Sequence, residues 1–549
     1  MRKTLLLLSL LLFLQGIAQT KLSPAQWQED LRFLQQTVHK DYSFLFVKTT
    51  KESFDAAVET LYKQIPNLQE HEIRVGLTRI VSQFRYGHTQ IPYSTTAKSG
   101  ILPINLYEFP DGIYIEGVQK DHKKALGAKV LRIGETSIEK AMELIYPVVP
   151  VENPQYFKAY GLRFLASPEV LHAQGVIPTL SKTVTLTLER DGKVFEYKFN
   201  TIDVKDKPKV FNFTMPTENW LTVRNTDKTP LYLKHFKDKL FYFEYLEDKK
   251  VLYVRQSSVF DDTNETLKQF YKRLFAFIDT HEIEKLVYDV RLNGGGNNYN
   301  NLPLIKGLMA RPHINKKGSF YYIIGRETFS ACQNLTNEII RYTNAILVGE
   351  PTSENINFYG DARAVTLPNS KINAYLSYIW WQDMPALENA DWTAPSIPVT
   401  MTFDEYINNK DTVLEAALNF NAEGFKPKPL DYIVELYTTG QTQKLMEELP
   451  KMAQDPRYVF CDFEAELNKL GNILLQTGRK EQVQASTQVF SMILQLFPNS
   501  ALTHKNLGQA YLKLGNIEKA KELFNKTVTL DVDGELGKAA KKLLLEIKN

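Results

Sequence analysis

Cysteine is almost missing from this chain: Cys332 and Cys461 are its two cysteines in 549 residues. That count excludes a disulfide framework, and because the two lie in segments of different texture, buried free thiols are expected. A one-sided charge is missing as well. The 66 basic and 63 acidic residues leave a net +3, which supports no nucleic-acid role and picks out no partner by charge. Past the N-terminus, no stretch approaches the ~20 apolar residues that span a bilayer. The apolar run that does exist is short: Arg2 and Lys3 precede Leu5 to Leu14, and Gln15-Gly16-Ile17-Ala18 follows. A basic start, a short apolar stretch and a small-x-small site read as a secretory signal cut after Ala18. No cysteine follows it, which disfavours a lipid anchor, so the expected mature protein is secreted or periplasmic, without a membrane span.

What is present is ample material for buried cores. Apolar residues make up 43% of the chain and aromatic ones 12%, and the length calls for three or four domains. After the signal (1–18), residues 19–95 read as a helical domain: Ser23-Pro24 suits a helix start, and Leu31, Leu34, Val38, Phe54, Val58 and Leu61 recur at helical spacing. Residues 96–205 turn to short strands, such as Ile113–Gly117, Ala128–Ile133 and Thr183–Leu188, with helical runs around Ile138–Met142 and Glu169–Gln174. The passage Leu126 to Ser137 resembles the central strands and turn of a PDZ domain, which would hold an extended peptide at a sheet edge; a β-rich spacer that binds nothing is the equal alternative. Residues 206–248, rich in Lys, Asp, Asn, Thr and Pro, read as connecting structure. From 249 to 425 strands and helices alternate, as in an α/β core with a largely parallel sheet.

The final segment, 426–549, carries an internal echo. Leu470-Gly471-Asn472 to Gly478 returns 37 positions on as Leu507-Gly508-Gln509 to Gly515, with Phe490 and Phe524 in the helices that follow. The second copy resembles a tetratricopeptide repeat, whose usual period is ~34 residues, and two copies fall short of the ~3 that make a free-standing array. A docking site for a protein partner and a helical cap on the rest of the chain are both open readings.

The chemistry gathers around Ser330. It lies in Gly325-Arg326-Glu327-Thr328-Phe329-Ser330-Ala331-Cys332, between the strand-like Phe320–Ile324 and a helix-like run from Leu335 to Arg341. A second strand, Lys285 to Arg291, runs into Asn293-Gly294-Gly295-Gly296. A serine at a strand-to-helix junction near glycine-rich backbone is how an exposed nucleophile beside N–H donors is built. Serine needs a base, and histidine is the usual one at neutral pH. Of the nine histidines, most sit in charged contexts such as Asp121-His122-Lys123. His88, in Tyr86-Gly87-His88-Thr89 at a domain junction, differs, although a lone histidine is more often structural.

Together these residues resemble the C-terminal processing peptidases (tail-specific proteases), in the branch related to the tricorn protease core. The resemblance rests on Tyr288–Gly296, Gly325–Ala331, Val348-Gly349-Glu350-Pro351-Thr352, the turn Leu367-Pro368-Asn369 and the closing Asp411–Leu418, over roughly residues 20–420. It implies a multidomain α/β fold: a helical N-terminal domain, a PDZ-like β domain, an α/β protease core of the ClpP/crotonase kind, and an all-α repeat domain behind it. Relatives that pair serine with lysine carry that lysine shortly after Gly-Glu-Pro-Thr. Here Ser353-Glu354-Asn355-Ile356-Asn357 follows, with no lysine until Lys371. The tricorn-like branch instead uses a histidine in a Gly-His-Thr motif, matched by His88, and a glutamate late in the core, matched by Glu388, with Asp391 as the alternative. Ser330, His88 and Glu388 are therefore the expected catalytic residues, and the N–H groups of Gly295 and Ala331 the oxyanion donors, with no metal and no cofactor. Phe329, Gln333, Cys332 and Pro395-Ser396 depart from the family pattern.

The expected function is that of an exported serine endopeptidase cutting peptides or polypeptide tails. The rival is a non-catalytic peptide- or ligand-binding scaffold on the same fold, with the repeats docking a partner.

Overall fold

The helix α1 (Pro24–Asp41) starts where the sequence signals it. Ser23 and Gln26 cap one another's backbone reciprocally, and Pro24 occupies the first turn, where its missing N–H costs nothing. The computed structural model describes residues 21–208, 213–387 and 390–548; the signal-like segment 1–18 lies outside them. Helices α2 (Lys51–Gln64) and α3 (Glu70–Ser82) follow. Their apolar stripes, among them Leu34, Val38, Phe54, Leu61 and Leu77, make one core, and the helices alone do not close it. Leu367, Ile372, Ala374 and Leu376, some 300 positions further along, complete it.

Next comes an antiparallel sheet of β1 (Ile104–Phe109), β2 (Gly112–Gln119), β3 (Lys129–Ile133), β4 (Thr183–Arg190) and β5 (Lys193–Asn200), paired in that order. Its inward residues share a core with the helices Ile138–Ile145 and Pro168–Ala173. The segment 206–248, expected to be connecting structure, contributes two strands. β6 (Trp220–Thr222) pairs with β2, and β7 (Phe241–Leu246) pairs antiparallel with β8 (Val251–Gln256). Charged and turn-forming neighbours hide both from a periodicity reading, because strands of three and six residues carry little pattern of their own.

The second sheet is the α/β core. After β8 come α4 (Leu267–Thr280), β9 (Lys285–Asp289), α5 (Leu302–Met309), β10 (Phe320–Ile324), α6 (Ala331–Tyr342) and β11 (Ile346–Gly349). The strands lie in the order β11–β10–β9–β8–β7, with β8 to β11 parallel. Every residue of β10 is buried, as the continuous apolar run of a covered parallel strand requires. α4, α5 and α6 share one core with these strands. The loops leaving β9 and β10 at their carboxyl ends carry Gly294–Gly296 and Ser330. Ligand sites of open α/β sheets collect at this edge.

A long hairpin, β12 (Phe358–Thr366) and β13 (Asn373–Trp381), follows. Its turn is pinned to α1 by Asp30, a fully buried carboxylate that accepts the N–H of Asn369 at 2.7 Å and of Ser370 at 2.8 Å. The hairpin also grips the segment after α3. Gln90 and Tyr375 exchange two backbone hydrogen bonds of 2.9 Å, and Thr89 Oγ1 lies 2.9 Å from Ser377 Oγ. All of this belongs to one compact unit, the chain up to Pro395 together with Val399–Phe420.

The other unit holds residues 421–549 with 396–398, and from α7 (Phe463–Gln476) it runs through α8 (Lys480–Leu496), α9 (Ala501–Lys513) and α10 (Ile517–Leu530). The Leu-Gly echo has a packing cause. A Cβ on Gly471 would fall 2.4 Å from the Phe490 ring, and one on Gly508 would fall 2.6 Å from the Phe524 ring. Glycine at the same turn of each first helix lets the phenylalanine of the second helix press against backbone.

Asp30→Ala leaves two half-buried N–H groups of the hairpin turn without their acceptor. It is expected to lower the stability of the first unit by about 2–4 kcal/mol, read as an earlier urea transition; an unshifted midpoint would show that Asp30 does not anchor the turn.

Candidate active site

Ser330 stands between β10 and α6 with φ 57° and ψ −131°. A non-glycine residue in that region stores ~1–3 kcal/mol of strain, so its surroundings must hold it. They do so through backbone. Phe329 N–H donates to Asn293 O at 3.2 Å, and Ser330 O accepts from Gln333 N at 2.7 Å and Asn334 N at 3.2 Å. Ser330 N–H donates to a carboxylate oxygen of Glu354 in a short hydrogen bond. One turn earlier, Thr328 Oγ1 accepts from Gly325 N at 3.0 Å and donates to Val290 O at 3.1 Å. The nucleophile loop and the end of β9 are thereby one hydrogen-bonded piece.

The structure brings His88 to this serine across 242 residues: His88 Nε2 lies 2.9 Å from Ser330 Oγ. The imidazole is half-buried, with Phe329 at 4.7 Å and Phe358 at 6.1 Å between ring centroids. That apolar enclosure pushes its pKa down to about 4, against a weaker upward pull from the Asp361 carboxylate, because desolvation penalises the cation. At neutral pH the ring is uncharged and able to accept a proton at Nε2. Its segment is rigidly placed, by the hairpin at Thr89 and Gln90 and by Gly87, whose N–H donates to Glu152 at 2.7 Å. A side chain at Gly87 would collide with Tyr156 at 2.3 Å and Phe329 at 2.8 Å.

Of the other expected residues, Glu388 lies outside the described residues. Asp391 is present with its carbonyl accepting from Asn153 Nδ2 and Asn355 Nδ2, each at 2.7 Å. Gly295, at φ 99°, lies hard against the nucleophile: a Cβ there would fall 2.6 Å from Ser330 Cβ and 3.0 Å from Ala331 N. Its own N–H donates to Asn293 Oδ1 at 2.9 Å. Ala331 N–H, first in α6, has no acceptor among the described residues. Cys332 is fully buried and its thiol pKa is raised by desolvation, which makes it inert. Lys371 donates to Pro368 O in the hairpin turn and has no part here.

Two residues of this neighbourhood escaped the sequence reading. Glu354 sits where a catalytic lysine was sought and not found; an acidic residue straight after Gly-Glu-Pro-Thr-Ser was the available signal. Glu152, in Val151-Glu152-Asn153, carries no pattern at all. A cavity of about 820 Å³ opens in front of Ser330 and His88, lined among others by Tyr156, Tyr160, Arg163, Lys207 and Phe329. That volume is ample for several residues of an extended peptide.

Residues 501–532 match the family model of a tetratricopeptide repeat, so the C-terminal helical region contains such a repeat. No curated protein matches the chain. Several solved structures are similar to it. Mature CPAF complexed with lactacystin is 11% identical over 72% of this chain and 99% of its own, with a TM-score of 0.48. The photosystem II D1 C-terminal processing protease is 12% identical over 69% of this chain and 96% of its own, with a TM-score of 0.32. The tricorn protease is 11% identical over 72% of this chain and 36% of its own, also at 0.32. The latter two are proteases by name; likeness at this level does not bear on the chemistry, which rests on the site itself.

Gly295→Ala introduces a methyl group against Ser330. It is expected to slow modification of Ser330 by a fluorophosphonate by about 10²-fold. Gly294→Ala, whose Cβ meets only Tyr160 Oη at 4.0 Å, is the control expected to stay within about twofold. Equal rates for the two variants would mean that close approach at Gly295 is dispensable.

Proposed function

We propose that this chain is a serine-type peptidase that hydrolyses peptide bonds in peptides or polypeptide tails. The observation that supports this most is the 2.9 Å contact between His88 Nε2 and Ser330 Oγ at the carboxyl edge of a parallel sheet, facing an open cavity. Ser330 Oγ attacks the scissile carbonyl while His88 Nε2 takes its proton, then delivers it to the leaving amine. Water, deprotonated by the same nitrogen, releases the acyl group. The oxyanion is held by Ala331 N–H, at the positive end of α6, and by Gly295 N–H, which turns from Asn293 Oδ1 to the stronger acceptor. Glu388 orients the imidazole and stabilises its cation, with Asp391 as the alternative. No metal or cofactor is called for.

In the same reading, residues 96–205 form a PDZ-like domain that holds substrate as an added strand, and the core is of the ClpP/crotonase kind. Residues 1–18 direct export, so that the enzyme works in the periplasm or outside the cell. The repeat match at 501–532 supports docking of a protein partner by the C-terminal unit.

A fluorophosphonate reporter tests the chemistry directly. The intact protein is expected to label, Ser330→Ala to lose labelling entirely, and His88→Ala to lose about 10⁴-fold in kcat on a peptide substrate while keeping its fold. An unlabelled intact protein would favour the non-catalytic scaffold instead. The pH profile tests the third residue. Its apolar enclosure, against the weaker pull of Asp361, sets His88 at about 4, and a further ionised carboxylate on Nδ1 raises that value. The acid limb of kcat/KM is therefore expected above 4 in the intact enzyme and to move down in Glu388→Gln. A limb that stays put in Glu388→Gln but moves in Asp391→Asn transfers the role to Asp391.

A further inference from the structure

Next to the Ser330–His88 pair, and not among the residues that line the cavity, stand two acidic side chains that the proposed chemistry does not use. Glu152 and Glu354 are almost fully buried, and Glu152 holds the N–H of Asn355, the residue next to Glu354, at 3.1 Å, so that each carboxyl group acts on the other. Each also takes backbone N–H groups from the loops that carry the reacting side chains. Glu354 Oε2 accepts Ser330 N–H. Glu152 Oε1 accepts Gly87 N–H at 2.7 Å, and its Oε2 accepts Asn355 N–H at 3.1 Å. The Lys48 ammonium stands beside them, donating to Arg85 O at 2.9 Å and to Asn355 Oδ1.

Resting on the serine-peptidase reading, we propose that Glu152 and Glu354 are a paired positioning device: through one shared proton they lock the Ser330 backbone and the Gly87-His88 backbone into a fixed mutual geometry. Two carboxylates in contact away from water cannot both stay ionised, so a proton must lie between them. Its place is on Glu354, whose Oε1 is buried with no N–H or O–H donor among the described residues. Burial first, and then the Glu152 charge, raises the Glu354 carboxyl well above the usual carboxylate range. Glu152 is also raised by burial, but Lys48 and the two backbone N–H groups favour its ionised form. The other charged or titratable groups acting on the cluster are Arg85 and Asp391, felt at Lys48, and the Tyr86, Tyr156 and Tyr160 phenols, whose own pKa values burial raises. The linkage is direct: the bridge from Ser330 N to Gly87 N runs through two carboxyl groups and one proton. Loss of that proton sets two like charges against each other and pushes apart the loops that they hold.

The sign of the pH effect follows. Positioning is intact while Glu354 is protonated and fails as pH rises through its elevated pKa, giving an alkaline limb to the reaction. Glu354→Gln keeps a carbonyl for Ser330 N–H and an N–H for Glu152 but has no proton to lose. The test is the second-order rate of fluorophosphonate labelling against pH, on the full chain. Glu354→Gln is expected to label within about threefold of the intact protein at neutral pH and to lack the alkaline limb. Glu354→Ala is expected to label about 10²-fold more slowly, as for a nucleophile displaced by ~1 Å. A carboxylic-acid carbonyl band in the infrared spectrum, present in the intact protein and gone in Glu354→Gln, reports the proton without any activity. Failure of the intact protein to label refutes the peptidase reading itself. Labelling by the intact protein with an alkaline limb that persists in Glu354→Gln, or with no such carbonyl band, overturns the positioning pair, whether or not Glu354→Ala folds.

Discussion

Ser330 holds a backbone conformation that an L-residue adopts only when its surroundings compel it. The hydrogen bond from its N–H to Glu354 is the one side-chain contact among those that hold its backbone. The acceptor is costly in its own right, since a carboxyl group has been taken out of water to supply it. The Ser330 N–H itself and the nearby Lys48 ammonium offset part of that cost, while Glu152 adds to it. The same Glu152 fixes Gly87, the residue before His88. One buried polar cluster thus touches the backbone of both halves of the site.

A second constraint works from the outside. The helices α1 to α3 do not enclose their apolar core, and the β12–β13 hairpin supplies Leu367, Ile372, Ala374 and Leu376 to finish it. Because the hairpin also pairs with Gln90 and holds Thr89, closing that core sets His88 in place. Burial of apolar surface thus provides the force, and hydrogen bonds at Asp30 and Gln90 provide the register.

Much of this was legible in the residues. The continuous apolar strands, the serine at a helix start, the glycines after β9 and the Gly-His-Thr segment all announce themselves locally. The strands lie where the apolar runs put them, to within a residue or two at most ends, and a helix begins straight after Ser330. Ser23 with Pro24 marked the start of α1, and the repeated Leu-Gly with its later phenylalanine marked the helical repeat, whose second copy matches the repeat family model. The strand β7 was missed because its flanks are charged and its length leaves no periodicity to read. Glu354 stands where relatives that pair serine with lysine carry that lysine, so the local pattern gives it no role. Glu152 was passed over because nothing in its neighbours distinguishes it.

By itself, then, the sequence determined which segments become strands and helices and which side chains could do chemistry. Those follow from side-chain pattern and backbone preference within some ten or twenty positions. Only the tertiary structure decided that His88 meets Ser330, that a distant hairpin completes the helical core, and that two glutamates share a dry site behind both loops. Such meetings join positions hundreds of residues apart, and they are selected by the packing of the whole unit, which no local window contains.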